Sequence, residues 1–216
     1  LLHGAKLHPV SEAQRLSALL RSSVADERVL AAIARLPRER FVPASQRDRA
    51  YENVALPIAR DQTISQPLVV ARMLELLELA PTDRVLDVGT GSGYHAALLA
   101  MLAAEVWTIE RHPELSEGAQ RAIAELGIDN VHFSCGDGGD GLPDHAPFDA
   151  INVAAAVAER VPAALQGQLA PGGRLVAPVG DGDQRLVRVL RTPVGYALQR
   201  LEPVRFVPLV RGVAGA

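Results

Sequence analysis

The stretch RVLDVGTGSGYHAALLA, residues 84–100, constrains the fold more than any other part of the chain. Arg84–Val88 is a short apolar run of strand type, and from Tyr94 an alanine- and leucine-rich run of helical type follows. Between them Gly89, Gly91 and Gly93 let the backbone turn sharply and a ligand approach it with no Cβ in the way. The same alternation extends on both sides. A helix is expected at about 67–79, ahead of the strand. Strands follow at 105–109, 131–135, 148–153 and 172–179, with helices at 113–127 and 161–169 between them. Strands alternating with helices through short turns imply right-handed crossovers. The expected fold is therefore α/β, a mostly parallel sheet with helices on both faces.

The flanks read differently. Residues 11–36 have helical periodicity, with a capping-box pattern at Ser11 and Gln14 and a cap at Asp26. PRERFVP (37–43) breaks that pattern with two prolines. YENVALPIARDQTISQP (51–67) has little periodicity, and irregular segments of such length inside a domain are often functional. Ser65, just before Pro67 and an apolar run, reads as a helix cap and also as a candidate ligand contact. Past residue 181, QRLVRVLRT, YALQRLE and VRFVPLV read as strands, antiparallel additions at one sheet edge.

Several function classes are disfavoured. Net charge is −3 with no basic run, so neither nucleic acid nor an anionic membrane is an expected partner. No apolar run reaches about 18 residues, and LLHGAKLHPV lacks a signal-peptide core. Cys135 is the lone cysteine, which excludes an intramolecular disulfide and suits a cytoplasmic location. The six histidines form no ligand spacing, so no metal is expected. His95 and His132 read as structural or surface residues, Cys135 as a small buried hydrophobe, and Trp107 and Phe148 as core. Ser92 has glycines immediately beside it, not two residues away as a nucleophile elbow requires.

In an open parallel sheet, ligands bind beyond the carboxyl ends of the strands. Three such ends carry chemistry here: the glycine loop, Glu110 and Asp137. Glu110 lies 21 residues beyond Gly89, about the separation at which a carboxylate holds ribose hydroxyls. The loop reads G-x-G-x-G, with Tyr94 where a dinucleotide loop has its third glycine, and no phosphate-binding lysine follows. S-adenosylmethionine suits the pattern better. It has a ribose and an adenine but no pyrophosphate, and Asp87, Glu110 and Asp137 would surround its cationic centre with negative charge.

The segments DQTISQP, RVLDVGTGSGYHAALLA, VWTIE, GDG, PFDAINVAAA and LAPGGRLVAPVG together resemble the protein-L-isoaspartate (D-aspartate) O-methyltransferase family. VLAAIARLPRERFVP, YENVALPI and VRFVPLV extend the resemblance over roughly residues 13–211. It implies a class I methyltransferase (Rossmann-like) fold in a single domain spanning 1–216. Within it, 11–66 would be a helical extension and substrate loop, 67–180 the donor-binding core, and 181–216 the C-terminal strands. It implies S-adenosylmethionine as methyl donor and, as acceptors, proteins and peptides containing L-isoaspartyl residues. The ester formed on the free carboxylate would collapse to a succinimide, which hydrolyses in part to aspartate.

By the same resemblance Ser65 is the active-site serine, with Thr63 beside it; acceptor contacts are expected at Thr63, Ile64 and Val207, an extended peptide pairing with backbone near Val207. Donor contacts fall on Gln62, Asp87, Gly89, Thr90, Gly91, Ser92 and Gly93, and on Glu110, Asp137 and Gly138. The chain departs from the family pattern at Ala59 and Asp61, where glycines are usual, and at Ala154, where threonine is usual. It departs again at Asn152, where an apolar residue is usual, and around Val24. A related carboxyl methyltransferase acting on a different peptide aspartate, and a donor-binding protein without turnover, are the alternative readings.

Overall fold

A computed structural model of the chain describes residues 10–214. Helix α1 (Glu12–Leu20) opens on the expected capping box: Ser11 Oγ accepts from Gln14 N–H, and the Gln14 side chain accepts from Ser11 N–H. Helix α2 (Glu27–Arg35) is capped by Asp26, whose carboxylate accepts from Arg28 N–H at 2.8 Å. Two 3-10 turns follow, at Arg38–Phe41 and Ala44–Arg49. Strands β1 (Leu56–Pro57) and β2 (Thr63–Ile64) then form a small antiparallel ribbon. Its turn holds Arg60 and Asp61 at φ of 62° and 56°, the left-handed region where glycine is most at ease.

Helix α3 (Pro67–Leu77) corrects one expectation. Its N-cap is Gln66, not Ser65, and no side chain of the cap residue closes it. The orphan amide of Leu68 is taken instead by Asn53 Oδ1 at 3.0 Å, while Gln66 Nε2 donates to the Asn53 carbonyl. A side chain from the preceding loop does the capping, which leaves the Ser65 hydroxyl free of that duty.

The central sheet comprises β3 (Arg84–Val88), β4 (Glu105–Glu110), β5 (Val131–Cys135), β6 (Phe148–Val153), β7 (Leu169–Val179), β8 (Gln184–Thr192) and β9 (Gly195–Val204). Its order is β5-β4-β3-β6-β7-β8-β9. The first five strands run parallel, and β8 and β9 add antiparallel at one edge. Helices α4 (Tyr94–Ala100) and α5 (Pro113–Ala124) link β3, β4 and β5, and α6 (Ala163–Gly167) links β6 to β7. The chain winds one way from β3 and the other way from β6, so the crevice at their carboxyl ends is a topological switch point.

Strand alternation divides the core into two layers. Val85, Val106, Ala150 and Val176 join the α1–α4 side, and Leu86, Ile151 and Leu175 join the side closed by Leu165 of α6. Gly93, at φ 87°, serves this packing more than any ligand. A Cβ there would meet Ala119 Cβ of α5 at 2.8 Å, which is the close helix approach that a third loop glycine normally permits.

Two further expectations are corrected. VRFVPLV is not a strand: Pro208 lacks an amide, and Gln184 holds Phe206 by bonding both its N–H and its carbonyl with one side chain. The segment instead crosses the carboxyl end of β6, where Val207 accepts from Ala156 N–H and Leu209 N–H donates to Ala156. Cys135 is exposed rather than buried, because β5 is an edge strand and Cys135 is its last residue. Phe148 is core as expected, whereas Trp107 is half-buried, stacked between His132 and His145.

Candidate active site

A cleft opens at the switch point. Its floor is the glycine loop (Gly89, Thr90, Gly91 and Ser92) together with Gly138, Ala154 and Ala155. Gly89 and Gly91 take φ of 90° and 52°, so the loop needs glycine for its conformation as well as for access. Glu110 forms one side. Its carboxylate accepts from Gly91 N–H at 2.9 Å and from His112 N–H at 3.0 Å, which ties the end of β4 to the loop. Each oxygen retains a lone pair for a ligand hydroxyl. Among the described residues the lining holds one arginine, Arg111, whose Nε donates to the Gly212 carbonyl. One carboxylate and a glycine loop without a lysine suit a ribose better than a pyrophosphate.

The opposite wall is Gln62, Thr63, Ile64 and Ser65, with Val207 to Val210 of the tail closing over it. Thr63, Ser65 and Val207 also line an adjoining groove with Ala55, Gln66, Val69 and Pro203 to Phe206. These three residues therefore stand where two recesses meet. Ile64 is buried at 3 % exposure and anchors the ribbon. Asp61 is exposed and outside the cleft lining, and Arg60 pairs with Glu114 rather than with it, so no charge from that turn faces the site.

Asp87, Gly93 and Asp137 do not line the cleft. Asp137 secures the tail, accepting from Gly139 N–H and Gly212 N–H and pairing with Arg211 at 3.1 Å. Asp87 is fully buried beneath the floor. It accepts from Asn152 Nδ2 at 2.7 Å and from Thr108 Oγ1 at 3.0 Å, and Thr108 in turn bonds Thr90 at 2.6 Å. Its influence on the site runs through Thr90 and the loop. No group of three metal-ligating side chains exists among the described residues.

Sequence reasoning missed two contributors. Arg38 is fully buried, with Nε donating to the Ala50 carbonyl at 2.8 Å, Nη2 donating to the Ser65 carbonyl at 2.9 Å, and the guanidinium 4.7 Å from the Tyr94 ring centroid. His95 lines the cleft floor at 6 % exposure, next to Asn152. Neither has a local sequence signal, but the polar layer on which His95 sits shows in the strand register. Asp87, Thr108 and Asn152 are the polar residues of adjacent strands that point to the α4 side.

This buried layer has a pH signature. Burial pushes the Asp87 carboxyl up to about 7, and burial pulls the His95 imidazole down to about 3. Between about pH 4 and 6.5 the folded chain therefore holds a proton on Asp87 that the unfolded chain lacks. Over the same interval the unfolded chain holds one on His95 that the folded chain lacks. The two slopes cancel. Asp87→Asn removes the first alone, so thermal unfolding of that variant should lose about 1.4 kcal/mol of stability per pH unit, relative to wild type, as pH falls through this window. A variant that tracked the wild-type curve would contradict the assignment.

A family model of protein-L-isoaspartate(D-aspartate) O-methyltransferases matches residues 12–214, both walls of the cleft included. The chain belongs to this family. Protein-L-isoaspartate O-methyltransferase of Roseiflexus castenholzii is 53 % identical over 197 residues, 91 % of this chain and 90 % of the relative. That of Ruegeria pomeroyi is 50 % identical over 207 residues, 95 % and 96 % of the two chains. Among solved structures, a protein-L-isoaspartate O-methyltransferase superposes with a TM-score of 0.81 at 29 % identity, covering 91 % of this chain and 65 % of that one. A Plasmodium falciparum protein in complex with S-adenosyl-L-homocysteine gives 0.80 at 25 % identity, covering 93 % and 99 %. The fold is thus that of this methyltransferase family, with the mostly parallel sheet and antiparallel edge that the residue pattern implied.

Proposed function

We propose that this chain transfers the methyl group of S-adenosylmethionine to the free carboxylate of L-isoaspartyl residues in proteins and peptides. The observation that carries the reading is the continuity of the cleft. It runs from the glycine loop and Glu110 to the junction at Thr63, Ser65 and Val207, where a second groove opens to receive a peptide. Family membership and relatives named for this activity support the substrate, and the P. falciparum complex supports the donor.

The chemistry requires no strong base. An isoaspartyl carboxylate is ionised at neutral pH and is itself a nucleophile. Its oxygen bonds the methyl carbon as the carbon–sulfur bond breaks, and the bonding pair returns to sulfur, so the sulfonium leaves as a neutral thioether and the carboxylate becomes a neutral ester. The protein's task is to line up oxygen, methyl and sulfur and to exclude water. We assign the ribose to Glu110, the loop contacts to Gly89–Ser92, and the orientation of the acceptor carboxylate to the Ser65 hydroxyl, with Thr63 and Val207 beside it. Donor and acceptor sites would lie in one domain. A reducing cytoplasm suits the exposed Cys135, and among the described residues no helix is long and apolar enough to cross a membrane.

Radiolabelled methyl transfer to an isoaspartyl peptide beside its aspartyl twin tests the reading. Incorporation into the first alone is expected, and incorporation into the aspartyl twin would redirect the assignment to another carboxylate. Glu110→Ala should weaken binding of S-adenosylhomocysteine by about 1.5–3 kcal/mol in calorimetry, the worth of charge-assisted hydrogen bonds. Unchanged affinity would remove Glu110 from the ribose site.

A further inference from the structure

Among the residues lining this cleft, His95 and Tyr94 each carry a buried side-chain polar atom with no partner among the described residues, and that of His95 stands over a polar row. Asp87, Thr108 and Asn152 occupy matched register positions on β3, β4 and β6, and they form a polar row beneath the first turn of α4. Asn152 Nδ2 lies 2.7 Å from Asp87 Oδ1 and 3.3 Å from His95 Nδ1. An amide nitrogen only donates, and its two hydrogens serve these two acceptors, so His95 Nδ1 must accept. The ring proton then sits on Nε2. That nitrogen is buried and makes no hydrogen bond among the described residues, although the ring lines the cleft. Burial holds the imidazole neutral at physiological pH. A buried donor with a fixed tautomer and no acceptor is costly in a folded protein unless a ligand or a water completes it.

We propose that His95 Nε2–H is a binding donor for a substrate carboxylate, and that Asn152 is the positioning residue that fixes its tautomer. The inference rests on the methyl-transfer reading, which brings two carboxylates into the cleft: that of the donor's amino-acid end and that of the isoaspartyl acceptor. Thr63, Ser65 and Ser92 of the lining also carry hydroxyls that can reach a carboxylate, but none of them is a buried donor left without a partner. Arg111 is bound to Gly212, Glu110 is itself an anion, and Ala154 and Ala155 carry no donor side chain. A water in place of the carboxylate would satisfy the same nitrogen without affecting either substrate, and the test separates these cases.

Calorimetry with S-adenosylhomocysteine and methyl-transfer kinetics on an isoaspartyl peptide are to be compared at pH 8 in wild type, His95→Phe and His95→Gln. Phenylalanine keeps a ring and removes both nitrogens, whereas glutamine restores an N–H. If the donor's carboxylate is bound, His95→Phe raises the Kd for S-adenosylhomocysteine about 10- to 100-fold and leaves the peptide KM unchanged. If the acceptor's carboxylate is bound, kcat/KM for the peptide falls by that factor and the Kd holds. His95→Gln recovers most of the loss in either case. Both parameters within twofold of wild type in a folded His95→Phe overturn the proposal and assign the nitrogen to water. Should that variant fail to fold, the side-chain nitrogen resonances of wild-type His95 decide. The proton should sit on Nε2 and its signal should move when S-adenosylhomocysteine or peptide is added, and Asn152→Leu should scramble the tautomer. No movement with either ligand overturns the proposal. A wild type that neither binds S-adenosylhomocysteine nor transfers methyl would instead fail the functional reading, a result distinct from a silent His95 in an active enzyme.

Discussion

Ser65→Ala should lower methyl transfer to an isoaspartyl peptide about 10²-fold or more, with the affinity for S-adenosylhomocysteine unchanged. The expected loss is that of one positioned contact at the reacting group, about 2.7–4 kcal/mol. The residue stands at the junction of the two recesses, and it is held from behind through its carbonyl, so its hydroxyl is presented to whatever lies between them. A helix-cap role would have predicted a stability loss of about 1 kcal/mol with near-normal turnover of the folded fraction. Asn53 already caps α3, so the stability of Ser65→Ala should stay within about 0.5 kcal/mol of wild type. Kinetics and urea unfolding on the same preparation separate the two accounts. A stable, fully active Ser65→Ala would end the catalytic one.

The fold was legible where the chain punctuates itself. Arg84–Val88 and Phe148–Val153 were found to the residue, because each is an apolar run bounded by glycine or proline. Helix ends were less clear. Helix α4 stops at Ala100 although the apolar run continues through Met101 and Leu102, and the helix expected at 161–169 shrinks to Ala163–Gly167 because β7 already begins at Leu169. Contacts between distant segments were not legible at all. Nothing local tells that Asn53 rather than Ser65 caps α3, or that the proline-broken tail is pinned across β6 by Gln184 and Ala156. The site divides the same way. The glycine loop and Glu110 announce themselves by spacing, whereas Asp87 and Asp137 have the right residue type but face the core and the tail. His95 and Arg38 carry no spacing signal, because their partners arrive from other strands and loops.

Arg38 carries the other large expectation. Its guanidinium is fully buried with no carboxylate partner among the described residues, and burial pulls its pKa below the usual arginine value. What retains it there is geometric: one planar fork bonds the Ala50 and Ser65 carbonyls at once while lying over Tyr94, whose ring meets Phe41 edge-on. Arg38→Met strands both carbonyls, at about 1–3 kcal/mol each, and this is offset in part by no longer burying a charge. A net loss of about 2–4 kcal/mol in urea unfolding follows. Lysine should not rescue the site, since a single ammonium lacks the fork that reaches both acceptors. The folded fraction of Arg38→Met should also turn over slowly, because the carbonyl that fixes Ser65 has lost its anchor, while binding of S-adenosylhomocysteine stays near normal. If Arg38 acts through Ser65, the kinetic losses in Arg38→Met/Ser65→Ala must fall well short of the sum of the single variants. Full additivity, or normal turnover by the folded Arg38→Met, would confine Arg38 to stability alone.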